Sequence, residues 1–325
     1  MSDSKTAISD SKLRAYLELL RLPNVFTAMA DVLMGFLLTH ATLKPTSAAV
    51  LLLAASSCLY LAGMVLNDVF DYDIDRVERP KRPLPSRRIP LATARTFGYS
   101  LWAAGILFGW GAGAVLGEWQ SGTVVSLLAL AVLLYDGWLK HTPLGPVAMG
   151  SCRFLNVLLG MSAGRLPWSS AHWIVALGLG TYIAGVTWFA RTEARRSSRP
   201  QLIAAFLVIC GGLALLASFP LWATPTQHIP LGFDAPVERF SYAAGMGNGW
   251  YLLWILLGLS IGYRCVWAIS HPVPVRVQMA IKHALTSLIV LDAVIAFAAH
   301  GVPAAVTILI LLLPMTFIGR WIYST

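Results

Sequence analysis

The sequence predicts an all-α integral membrane protein, a bundle of nine or ten transmembrane helices. Three observations carry this. The chain is 57% hydrophobic and only 12% charged, where soluble globular chains carry about 25% charged residues, and its mean hydropathy is +0.68. Apolar runs approaching the ~20 residues that span a bilayer recur along the whole length. Between them, lysines and arginines collect in every second connection, the pattern that orients membrane helices rather than one that lines a nucleic-acid groove. A membrane bundle also overrides the length-based expectation of two soluble domains, so a single domain over 1–325 is expected.

Residues 1–20 are polar and mixed in charge. They lack the apolar core and small-residue cleavage site of a secretory signal and read as a cytoplasmic tail. The spans follow in order as Asn24–Thr39, Ser47–Asn67, Thr96–Leu116, Gly122–Tyr135, Leu144–Gly160, His172–Ala190, Gln201–Leu221, Trp250–Ala268, His283–Ala299 and Val302–Ile322. The Gly122 and Leu144 runs are short and call for tilt or for extension by flanking residues. The last two runs are separated only by His300 and Gly301, which leaves the count between nine and ten. The longest outer loop, Pro220–Gly249, carries prolines and aromatics and reads as a lid or a short interfacial helix.

Orientation follows from the cations. Lys5, Lys12, Arg14, Arg21, the basic loop from Arg76 to Arg95, Lys140, Arg191, Arg195, Arg196, Arg199, Arg264, Arg276 and Lys282 fall on one side. Lys44, Arg165 and Arg239 fall on the other. The first side is therefore expected in the cytoplasm. The four cysteines, Cys58, Cys152, Cys210 and Cys265, lie in or beside apolar runs with no zinc or disulfide spacing, and read as small packing residues.

The stretch Asn67-Asp68-Val69-Phe70-Asp71-Tyr72-Asp73-Ile74-Asp75 directly follows an apolar span. If the helix continues, residues three or four apart share a face. Asn67, Asp71 and Asp75 then align, with Asp68 beside them and Asp73 turned away. Carboxylates at a helix C-terminus oppose the macrodipole and repel one another. A stripe of hard oxygen donors suits Mg2+, which usually shares its ligands with phosphates; the plainer alternative is a solvated acidic helix end. Immediately downstream, Arg79, Lys81, Arg82, Arg87 and Arg88 fall within ten residues. Their guanidinium and ammonium groups suit phosphate oxygens, and the intervening prolines stiffen the loop. Arg79, Lys81 and Arg82 are the expected contacts, Arg87 and Arg88 solvated charge.

Asn67-Asp68-x-x-Asp71-x-x-x-Asp75 followed by Arg82-Pro83-Leu84-Pro85-Ser86 resembles the first aspartate-rich motif of the UbiA superfamily of intramembrane prenyltransferases. Arg21-Leu22-Pro23-Asn24 resembles that family's opening segment, and Tyr135 with Lys140 its motif after the fourth helix. The resemblance implies a bundle of nine membrane helices around a central cavity, which a tenth span would exceed. It implies transfer of an isoprenyl group from an isoprenyl diphosphate to a small aromatic or lipid acceptor, with Mg2+ bridging aspartates and diphosphate. On that reading Asn67, Asp68, Asp71 and Asp75 are metal ligands. Arg79, Lys81, Arg82 and Lys140 hold the diphosphate. Arg21, Asn24, Arg153 and Asn156 shape the acceptor cavity.

The family's second aspartate-rich motif is missing. Its place reads Tyr182-Ile183-Ala184-Gly185-Val186-Thr187-Trp188-Phe189-Ala190-Arg191-Thr192-Glu193-Ala194-Arg195-Arg196, without an aspartate. Glu193 is the candidate metal ligand there, and Arg191, Arg195 or Arg196 are candidates to neutralise diphosphate directly. This arrangement looks like the divergent EboC-like branch of the superfamily. Arg153 and Asn156 lie one turn apart inside an apolar run, where a charge faces a cavity or a partner, Asp136 being one candidate partner. Asp31 and Asp292 read as structural polar contacts, and Tyr135, Trp138, Trp188 and Phe189 as packing or interfacial aromatics. No general base is identifiable. The competing readings are a non-catalytic prenyl-lipid-binding relative, favoured by the degenerate second motif, and a transporter, which would need paired broken helices that the sequence lacks.

Overall fold

The computed structural model describes residues 12–164, 167–191, 197–223 and 246–321. Among these residues the chain is helical and contains no strand. The helices are α1 (12–20), α2 (Val25–Thr39), α3 (Thr46–Phe70), α4 (Tyr72–Glu78), α5 (Leu91–Leu116), α6 (Gln120–Gly137), α7 (Gly145–Met161), α8 (Ser170–Ala190) and α9 (Arg199–Ala217). After a one-turn helix at Phe219–Trp222 come α10 (Asn248–Ser270), α11 (Pro274–His300), α12 (Val302–Leu309) and α13 (Leu312–Trp321).

Among the described residues, nine helical segments are long and apolar enough to cross a bilayer, counting Val302–Trp321 as one. The exception among the expected spans is α7. Its 17 residues rise only about 25 Å, and they carry Arg153 and Asn156. All ten expected apolar runs are helical. The last departs from the expectation in being broken, with α12 and α13 meeting at Ile310–Leu311. The segment read as a tail is a helix over 12–20, and Ala15 and Leu19 are fully buried. Most of the loop read as a lid, 224–245, lies outside the described residues.

Helix α3 packs along α5, α8 along α7 and α9, and α2 against α7 and α11. Without a hydrophobic driving force between helices in lipid, small residues make such contacts by letting backbones approach. The clearest case is α2 against α7. A Cβ on Gly160 would meet the Val32 backbone oxygen at 2.4 Å, and one on Gly35 would meet the Val157 oxygen at 2.5 Å. That closeness sets Arg153 and Asn156 of α7 directly against α2. Exposed Leu, Ile, Val, Phe and Trp side chains cover the outside of the bundle, including Leu107, Leu207, Leu259 and Phe317. Such an apolar exterior is one that lipid solvates and water does not.

Candidate functional site

The acidic stretch sits where α3 ends. Asp71 forms the junction between α3 and α4, with φ −87° and ψ 7°. The four-residue hydrogen bonding nevertheless runs through it: Asp71 N–H donates to Asn67 O at 3.0 Å, Asp75 N–H to Asp71 O at 2.8 Å, and Arg79 N–H to Asp75 O at 2.9 Å. Asn67, Asp71 and Asp75 therefore share one face, as their spacing implies. Asp73 points away and its side chain is 91% exposed.

Each carboxylate on that face meets a cation delivered by a different segment. Arg21 Nη2 donates to Asp68 Oδ1 at 2.9 Å. Arg82 Nη1 bridges Asp68 Oδ1 at 3.2 Å and Asp75 Oδ2 at 2.6 Å. Lys140 Nζ lies 2.8 Å from Asp71 Oδ1 and donates to Asn67 Oδ1 at 3.0 Å. Asp68, Asp75 and Lys140 are buried, their side chains 5%, 6% and 8% exposed. Burial pushes the Asp75 carboxyl above the usual carboxylate range, and the Arg82 guanidinium beside it pulls the other way without cancelling the shift.

Local structure explains how the cations arrive. Arg21 adopts a left-handed backbone, φ 44° and ψ 46°, ahead of the 3-10 turn Leu22–Asn24. This conformation costs about 1–2 kcal/mol for a residue with a Cβ, and here it coincides with a partly buried ion pair to α3. The Arg82-Pro83-Leu84-Pro85-Ser86 loop is anchored by Leu84, 2% exposed in a small core with Leu19, Val65, Val69 and Ile89. Ser86 closes the loop through its hydroxyl on Arg82 O at 2.6 Å. Arg191 Nη2 donates to Thr142 O at 2.7 Å, bracing the segment that carries Lys140.

The structure thus brings together Asn67, Asp68, Asp71, Asp75, Arg21, Arg82 and Lys140. Arg79 and Lys81 are exposed at the rim, with Arg79 close enough to act on Asp75. Arg88, expected as solvated charge, is instead paired with Glu18 of α1 at 2.6 Å, because α1 folds back over this loop. Arg153 and Asn156 form a separate network deeper in the bundle, and the partner of Arg153 is Asp31, at 2.5 Å, not Asp136. Asn24 lies beside Tyr60. Glu193, Arg195 and Arg196 lie outside the described residues.

Two site residues escaped the sequence reading. His141 Nε2 is 3.3 Å from Asp71 Oδ1. Asp136 is 3% exposed, has an Oδ2 without a hydrogen-bond partner, and acts electrostatically with Lys140, Asp71, Arg21 and Asp68. The available signal was spacing, since Asp136 precedes Lys140 by four residues.

The donor set suits Mg2+ in kind: hard oxygens from one amide and three carboxylates on one buried face. In the present arrangement those oxygens face Arg21, Arg82 and Lys140, and no group of three or more acidic, His or Cys side chains converges on one point among the described residues. Three carboxylates against three cations leave the face close to neutral. Binding a metal with an accompanying polyanion would let those cations turn to the anion.

A helical membrane bundle carrying a charge-matched acidic face at a helix end defines a polytopic membrane protein with an ionic cluster at one end of its helices. The UbiA prenyltransferase family model matches residues 28–271, and the chain belongs to that family.

Similar curated proteins include the digeranylgeranylglyceryl phosphate synthases of Methanobrevibacter smithii (33% identical over 153 residues, 47% of this chain and 52% of the relative) and Methanopyrus kandleri (34% over 170 residues, 51% and 58%). The chain spans about half the length of these two relatives. Among solved structures, a digeranylgeranylglyceryl phosphate synthase superposes with a TM-score of 0.59 at 21% identity, over 91% of this chain and 99% of that one. A UbiA homolog from Archaeoglobus fulgidus bound to DMAPP and Mg2+ superposes with a TM-score of 0.55 at 14% identity, over 84% and 98%. These likenesses establish the fold: an integral, multi-pass UbiA-type bundle.

Proposed function

We propose that this chain is an intramembrane prenyltransferase that moves an isoprenyl group from an isoprenyl diphosphate to a small acceptor. The observation carrying this is the set of three carboxylates, Asp68, Asp71 and Asp75, each matched by Arg21, Arg82 or Lys140 from a separate segment. A face that only needed solvation would not require partly buried cations converging from three places. The names of the relatives favour a lipid acceptor of the glyceryl phosphate kind over a free aromatic ring.

Asn67, Asp68, Asp71 and Asp75 are the proposed Mg2+ ligands, with Glu193 a further candidate from the sequence. Bound there, Mg2+ would neutralise charge on the departing diphosphate, as its presence with DMAPP in the Archaeoglobus fulgidus homolog suggests. Arg82 and Lys140 hold the diphosphate oxygens, Arg79 and Lys81 guide it at the rim, and Arg21 turns from Asp68 towards it. As the allylic C–O bond breaks, these cations stabilise the developing negative charge. The carbon left electron-poor bonds to the acceptor, which loses a proton. Apolar helix walls keep water from intercepting that carbon. Asn24, Arg153 and Asn156 remain the candidates for shaping the acceptor end, a role that Arg21, paired with Asp68, gives up for the diphosphate. The distribution of Lys and Arg supports a cytoplasmic orientation for the site.

The test is incubation of purified protein with isoprenyl diphosphates of graded length, Mg2+ and a host lipid extract, reading diphosphate release and products by mass spectrometry. Metal-dependent release by the wild type and its loss in Asp71→Ala are expected. Equal release from both removes the catalytic reading, and binding without release identifies a non-catalytic prenyl-lipid-binding protein.

A further inference from the structure

A second buried polar cluster lies within the bundle, away from the acidic face. Asp31 of α2 and Asp292 of α11 both have zero exposure. Every donor that reaches Asp31 converges on a single oxygen. Arg153 Nη1 donates to Asp31 Oδ2 at 2.5 Å and Asn156 Nδ2 to the same oxygen at 2.8 Å. Their remaining bonds are used elsewhere: Arg153 Nη2 on Thr27 Oγ1 at 3.0 Å, Asn156 Nδ2 also on Ala28 O at 2.9 Å, and Asn156 Oδ1 accepting from Ser56 Oγ at 2.6 Å. Asp31 Oδ1 and both oxygens of Asp292 have no hydrogen-bond partner. The two carboxyl groups, on packed helices, are close enough to act on each other.

An ionised carboxylate only accepts hydrogen bonds. Two facing carboxylates therefore leave their facing oxygens unsatisfied and repel. Buried polar atoms without partners are rare and need a reason. The charge count gives the same answer. Arg153 is the cation acting on both carboxylates, so two anions against one guanidinium would leave a net negative charge where desolvation costs several kcal/mol per ion. The tyrosines nearby supply no second cation. Tyr60 of α3 adjoins Arg153. Tyr182 of α8 donates its hydroxyl to Ala284 O at 2.9 Å. His300, two turns further along α11, sits 2.6 Å from Leu37 O.

We propose that Asp31 and Asp292 hold one proton between them, forming a membrane-buried proton-binding site that joins α2 to α11. That single proton gives the pair its missing donor and brings Asp31, Asp292 and Arg153 to zero net charge. It also ties α11 to α2 at the level where α7 is already tied through Arg153. The position of α2 matters because its leading turn follows Arg21, the partner of Asp68. This inference does not depend on the proposed reaction.

The test is infrared spectroscopy of the full-length protein in liposomes, with aspartate carboxyl carbons labelled with 13C. Wild type at neutral pH is expected to show carboxylic-acid C=O absorption that contains one carboxyl equivalent lost in both Asp292→Asn and Asp31→Asn, either variant sufficing. The subtraction isolates this pair from Asp136. Asp292→Asn should keep the wild-type thermal midpoint, since its amide can donate to Asp31 in place of the proton. Absence of the acid band in wild type, or its full persistence in a folded variant, overturns the proposal. So does sodium-dependent stabilisation of wild type that disappears in Asp292→Asn, because the occupant would then be a metal cation.

Discussion

Replacing Arg82 with alanine tests the electrostatics of the acidic face most directly. One Arg82 nitrogen, Nη1, bridges Asp68 and Asp75, and the bridge is buried, with side-chain exposures of 15%, 5% and 6% for the three residues. Breaking a buried pair by deleting one partner costs about 3–5 kcal/mol. Asp68 keeps Arg21 at 2.9 Å, which removes its share, so the loss expected for Arg82→Ala is about 2–3 kcal/mol at neutral pH.

The pH dependence follows from Asp75. Burial already raises this carboxyl, and Arg82 opposes the rise. A group whose folded value is raised binds its proton in the folded state when the unfolded chain has lost it. Stability therefore falls as pH climbs from the ordinary carboxylate value through the raised one. Deleting Arg82 pushes Asp75 higher still and widens that window. The gap between variant and wild type should be small below the ordinary carboxylate range and widen as pH rises above it. The assay is thermal unfolding in detergent with a chelator present, so that metal binding does not contribute. A variant as stable as wild type at neutral pH, or a gap that does not change with pH, refutes the reasoning.

Lys140→Gln removes the ammonium that meets Asp71 and Asn67. A charge-assisted contact of about 1.5–3 kcal/mol corresponds to a rise of about 10–100-fold in KM for the isoprenyl diphosphate; an unchanged KM in a diphosphate-release assay would exclude Lys140 from substrate binding. Gly160→Ala places a methyl 2.4 Å from Val32 O and 2.8 Å from Val32 Cα. The backbone of α2 must move, at about 1–3 kcal/mol in thermal unfolding. Gly211→Ala, with nothing within 4 Å of the added carbon, is the control and should unfold like wild type.

Much of this protein was readable along the chain. The apolar runs became helices because their length and composition leave lipid as the only adequate solvent, and within a bilayer the backbone must satisfy its own hydrogen bonds. The alignment of Asn67, Asp71 and Asp75 was also legible, since residues four apart share a face whatever the rest of the fold does. What the chain could not disclose was pairing across distance. Arg21 meets Asp68 over a separation of 47 residues, Lys140 meets Asn67 over 73, and Arg153 meets Asp31 over 122. Those meetings depend on which helices touch and at what height.

Sequence alone therefore determined the membrane bundle and the acidic stripe, which follow from composition and from the 3.6-residue helical repeat, and it carried the family resemblance through the likeness of its motifs. The tertiary structure decided that Arg82 engages while Lys81 stays exposed, that Arg88 serves Glu18, that Asp136 and His141 join the site, and that Asp31 faces Asp292. Helix contacts in lipid are chosen by close backbone approach at small residues such as Gly35 and Gly160, and that three-dimensional fit leaves no periodic trace along the chain.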